Sequence, residues 1–114
     1  MNKKEQMAVQ PTNEIVADML RQRNKGTEDC ITTSEYARKI GMNAPDLNRF
    51  LEDQNVMQRK NGLLQLTLKY QECGLTKNRS TFKYSRMGQL KEIVYPVWTP
   101  KGVVFLNKFL NVKQ

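Results

Sequence analysis

The sequence predicts an α+β fold: a winged helix-turn-helix with a β-hairpin wing, an additional short antiparallel strand pair and a C-terminal helix. Three observations carry that prediction. Thr32 followed by Glu35 forms a capping box that opens a short amphipathic helix, and Gly41 closes it just before a second capped helix. The dipeptide Asn61-Gly62 separates two strand-like runs, and this pair is the preferred two-residue hairpin turn because both positions need positive φ. Thr99-Pro100 then opens an apolar run near the C-terminus, with Thr as cap and Pro at the first helical position.

Residues 1–12 are polar and aperiodic, which predicts a mobile tail ending at Pro11. From Thr12 to Asn24, Ile15, Val16, Met19 and Leu20 recur at helical spacing. Arg21 and Arg23 fall where the helix dipole favours cations, and Asn24-Lys25-Gly26 stops the helix. The next helix spans about Thr33 to Ile40, with Tyr36, Ala37 and Ile40 facing inward. Asn43 caps the one after it, and Pro45 sits in its first turn, where a missing N–H costs nothing. Leu47, Phe50 and Leu51 form its buried face, while Asn48, Arg49 and Glu52 point away.

The hairpin pairs Val56–Lys60 with Leu63–Leu68, whose Leu64, Leu66 and Leu68 alternate with polar residues as in a half-buried strand. Phe82 and Tyr84 alternate with Lys83 and Ser85, predicting a short strand whose aromatics are core. Ile93 to Trp98 reads as its companion, and Pro96 assigns it to a sheet edge because proline has no N–H for a ladder. Val103, Phe105, Leu106, Phe109 and Leu110 give the last helix a wide apolar face. The chain divides into a tail and helix over residues 1–29 and a domain over residues 30–114.

Composition limits the function classes. The 114 residues suit one domain, and 39% hydrophobic with 26% charged is ordinary for a globular domain. No run approaches the roughly 18 apolar residues of a membrane span. No apolar stretch follows Met1-Asn2-Lys3-Lys4, so a cytoplasmic location is expected, with no membrane partner. Histidine is absent, which removes the commonest general base and metal ligand. Two cysteines, Cys30 and Cys73, cannot form a four-ligand zinc site, and both are expected as thiols. No phosphate-binding glycine loop, GxSxG motif or metal cluster is present, so no enzyme and no cofactor is expected. Glu28 and Asp29 before Cys30 would raise its thiol pKa, which leaves Cys73 the more reactive of the two.

The net charge of +8 is unevenly placed. Residues 1–32 carry five basic and five acidic side chains, and residues 33–53 carry three and four. Residues 54–114 carry eleven basic and two acidic, the whole excess. A surface of that kind attracts polyanions, nucleic acid first. In a helix-turn-helix the second helix enters the major groove, so Asn43, Asn48 and Arg49 are the candidate base readers. Asn suits adenine and Arg suits guanine. Arg59 and Lys60 flank the hairpin tip, where a wing meets phosphate, and Lys77, Arg79, Lys83 and Arg86 form a second candidate phosphate-binding run.

The run Ile31-Thr32-Thr33-Ser34-Glu35-Tyr36-Ala37-Arg38-Lys39-Ile40-Gly41-Met42 resembles the start of the KilAC domain, the C-terminal domain of phage antirepressor proteins. The likeness continues through Leu47-Asn48-Arg49-Phe50-Leu51, Asn61-Gly62, Leu68-Lys69-Tyr70-Gln71 and Gly74-Leu75-Thr76-Lys77, and ends at Trp98-Thr99-Pro100-Lys101-Gly102. The resemblance implies a phage or prophage transcription regulator with DNA-binding character. Its antirepressor role implies a second possible partner, a repressor protein, which an interaction module could bind without sequence-specific DNA contact. That contact would use the stripe of Ile15, Met19 and Leu20 or the acidic face of Asp46, Glu52 and Asp53. A twofold DNA site would call for a homodimer, for which the N-terminal helix is the candidate.

Overall fold

A computed structural model describes residues 12–112 of the chain. The predicted tail lies almost wholly outside them. Four α-helices and two antiparallel two-stranded sheets make an α+β fold among the described residues. Helix α1 is Asn13–Arg23, α2 Thr33–Lys39 and α3 Ala44–Asp53. Strands β1 (Met57–Lys60) and β2 (Leu63–Leu66) form the first hairpin, β3 (Thr76–Tyr84) and β4 (Leu90–Trp98) the second, and α4 is Pro100–Phe109.

The local signals do what their chemistry requires. Each helix begins on a side chain that accepts a backbone N–H otherwise left without a partner. Thr12 accepts from Ile15, Asn43 from Asp46 and Thr99 from Gly102. Thr32 and Glu35 close the complete reciprocal box on α2. Gly41 turns the chain between α2 and α3 at φ +76°, a value that side-chain-bearing residues rarely adopt. Asn61 and Gly62 sit at φ 53° and 79°, as a type I′ turn demands.

The core joins α2, α3, the first hairpin, the base of the second and α4. Tyr36, Ala37, Leu47, Leu51, Val56, Met57, Leu66, Leu75, Trp98 and Leu106 are buried together. Trp98 is the pivot. Its indole N–H donates to Thr33 Oγ1 at 2.9 Å, and its backbone exchanges two hydrogen bonds with Ile31. The end of β4 is thereby fastened to the start of α2. Gly102 explains why α4 begins as it does: a Cβ there would lie 2.0 Å from the carbonyl oxygen of Leu75. Only glycine lets the helix approach the chain just before β3 this closely.

Two expectations need correction. The second hairpin is a ribbon of nine residues per strand, longer than the short pair expected. Leu68 does not extend β2; it opens a 3₁₀ turn over Leu68–Tyr70 and is 80% exposed, because the chain bends away at Thr67. Pro96 pairs opposite Asn78, which a two-stranded sheet permits since each strand keeps one free edge. Helix α1 has no buried residue. It is held at its C-terminal end, where the Asn24 side-chain amide accepts from Ser80 N and donates to Ser80 O along the free edge of β3.

Candidate nucleic-acid interface

The outward face of α3 is where base contact was expected. Arg49 lies there with 71% of its side chain exposed, 3.5 Å from Asp46 Oδ1 one turn earlier. Asn43 is occupied by its capping role: Oδ1 accepts from Asp46 N and Nδ2 donates to Asp46 Oδ2. Asn48 is turned inward, against the expectation that it points away. Its Oδ1 is buried without a hydrogen-bond partner. It lines a cleft of about 230 Å³ with Thr33, Ser34, Leu64 and Tyr95. Helical spacing alone could not place it, since position 48 borders the apolar stripe of Leu47 and Leu51.

The first hairpin lies beside α3. Arg59 of β1 reaches Glu52 of α3 at 3.6 Å. Lys60 adjoins the tip and has no ion-pair partner among the described residues. On α3 itself Asp46, Glu52 and Asp53 outnumber Arg49, so the helix face is acidic while the hairpin tip is basic.

The second cationic run divides in two. Lys77 Nζ donates to the Gly26 carbonyl at 2.8 Å. Arg79 donates to Thr27 Oγ1, to the Thr27 carbonyl and to the Cys30 carbonyl. These two cations, with expected phosphate roles, tie the turn after α1 to β3. Lys83 and Arg86 lie farther along, exposed and with no such partners among the described residues. The aromatics also divide. Phe82 is half-buried, with the Arg23 guanidinium 5.6 Å from its ring centre. Tyr84, expected in the core, is 55% exposed.

Titration shifts follow these contacts. Glu92 is held below the usual carboxylate range, first by the Ser80 hydroxyl and then by Arg23. Glu35 is lowered chiefly by the Thr32 backbone N–H of the capping box. Burial raises the Cys30 thiol, and the neighbouring Asp29 raises it further, so this cysteine stays a thiol at neutral pH. Cys73 is exposed, and the two are not bonded. Among the described residues no cluster of three potential metal ligands occurs, and no helix is long and apolar enough to cross a membrane.

Fold and site together define a small α+β domain that sets an acidic helix beside one basic-tipped hairpin and carries a second, cation-bearing hairpin on the same buried core. The phage antirepressor protein KilAC domain profile matches residues 22–112, and the chain belongs to that family. Its function is accordingly related to phage antirepression. No curated protein and no solved structure matches the chain.

Proposed function

We propose that this chain is a non-enzymatic phage or prophage regulator that binds double-stranded DNA as a winged helix-turn-helix in the cytoplasm. In this reading α2 and α3, joined at Gly41, present α3 to the major groove, and the β1–β2 hairpin is the wing. The supporting observation is the Arg59–Glu52 contact, which keeps the Lys60 tip alongside the helix that carries Arg49. Arg49 is the principal base reader. Asn43 acts by setting the start of α3, and Asn48 from its inner edge. Lys60, Lys83 and Arg86 hold phosphates. Arg59 adds charge to the wing, while Lys77 and Arg79 act by fixing the ribbon.

Selection of bound sequences from random duplex DNA, repeated at two salt concentrations, tests this. Arg49→Ala is expected to cost about 1–3 kcal/mol at the selected site and to relax its preference. Lys60→Ala is expected to weaken all sequences alike and to lower the salt slope by about 1. An Arg49→Ala protein that keeps full selectivity would remove α3 from the groove.

The acidic face of Asp46, Glu52 and Asp53 favours a second reading, in which α3 docks a basic surface of a repressor protein. Tighter binding to a purified phage repressor than to DNA at physiological salt would select it. For pairing of two copies on a twofold DNA site, the surface put forward is α1, whose Ile15 is half exposed. Sedimentation of the chain with and without Ile15→Asp measures that pairing.

A further inference from the structure

The far end of the β3–β4 ribbon carries features that its own folding does not explain. Lys83 and Lys91 lie directly opposite each other in the ladder and so share one face. Like charges in that position destabilise a sheet, and cross-strand pairs are otherwise a main source of its stability. The ladder neighbours on that face are Thr81 and Ile93, which cannot offset the charge. Glu92 projects from the opposite face and is taken by Ser80 and Arg23. Arg86 adds a third cation at the turn. Beside it Met87 is 85% exposed, and Tyr84 is also largely in solvent.

This end is also well ordered by its own contacts. Ser85 and Gln89 close the turn with a backbone hydrogen bond of 2.8 Å, and Ser85 Oγ accepts from Gln89 N. Gly88 at φ +81° completes it. The base is anchored by buried Val97 and Trp98, and the middle by the Asn24 clamp on Ser80. Nine residues per strand give a preorganised arm about 30 Å long. A two-stranded ribbon fits the major groove, which is about 12 Å wide.

We propose that the distal β3–β4 ribbon is a second duplex-DNA contact that enters a major groove. Lys83 and Lys91 on one face of the ribbon and Arg86 at its turn meet phosphates of that groove, and exposed Met87 at the turn reaches toward the bases. The inference rests on the DNA-binding reading above and adds a separate footprint to it. The unfavourable Lys83–Lys91 pair is relieved when each ammonium group meets a phosphate.

The test is duplex binding by the full chain across a salt series, with hydroxyl-radical footprinting, for wild type, Lys83→Gln/Lys91→Gln and Arg86→Gln. The double variant should lower the salt slope by about 2 and Arg86→Gln by about 1, since each phosphate contact contributes roughly 0.9. Both should lose protection at one end of the footprint while keeping the rest. Melting of the double variant should be unchanged or higher, which excludes unfolding as the cause. An unchanged slope and footprint would overturn the inference while Lys60→Ala and Arg49→Ala still test the helix and wing. Wild-type binding to random duplex no tighter than to polyglutamate of equal charge would overturn it too, because a groove contact requires the shape of DNA. Wild type that fails to bind duplex at low salt would remove the DNA reading altogether.

Discussion

Helix α3 and the β3–β4 ribbon present opposite electrostatic faces from the same core. On α3 the polar groups mostly answer one another: Asn43 caps, Asp46 meets both Asn43 and Arg49, and Glu52 meets Arg59. On the ribbon, cations near the base are taken by the turn after α1, whereas those near the tip have no carboxylate partner among the described residues. The difference shows that net charge by segment does not equal available charge. A cation is available to a polyanion only where the fold leaves it without a nearby acceptor.

The comparison breaks most completely at its shared base. Trp98→Ala should cost about 3–5 kcal/mol, because it empties the site that joins β4 to α2. Urea unfolding would show it, and both binding regions should fail together. Gly102→Ala should cost about 1–3 kcal/mol or more through overlap with the Leu75 carbonyl. Its effect should fall on α4 and the base of the ribbon, which hydrogen exchange would resolve from α3.

Smaller changes sharpen the contrast. Asp46→Asn removes the carboxylate beside Arg49 and should raise duplex affinity by up to about fivefold, the scale of an exposed ion pair of ~1 kcal/mol. The opposite sign would mean that the acidic face itself makes the functional contact. The smallest effect expected is on pH dependence. Glu92 and Glu35 have folded pKa values below their unfolded ones, so their contributions are present above the unfolded carboxylate range. They are lost as pH falls through the lower folded values. Glu92→Gln should therefore flatten the acid side of the melting curve, and it should loosen α1 from the ribbon more than it affects α3.

Much of the fold was legible in the residues themselves. The caps at Thr32, Asn43 and Thr99, the turns at Gly41 and Asn61-Gly62, and the edge position of Pro96 all stand as read. Each of those features is decided by atoms within about four residues, or by one residue's allowed φ. The length of the ribbon was not legible, since Thr76–Ser80 has no clean apolar alternation and gains its strand form by pairing. Gly102 was visible as part of a short run, yet its reason, the Leu75 carbonyl, appears only in three dimensions.

The site was read less completely. Sequence by itself determined where the cations are and that α3 carries Arg49 on an outer face. Only the tertiary structure decided which of those groups are available. Asn48 turns toward a cleft shared with Leu64 and Tyr95. Arg79 and Lys77 meet carbonyls about fifty residues earlier in the chain. A helix cap is closed by its immediate neighbours, but a long side chain takes its partner from whatever the packed chain brings within reach. That pairing is set by the whole fold and cannot be read from the order of residues.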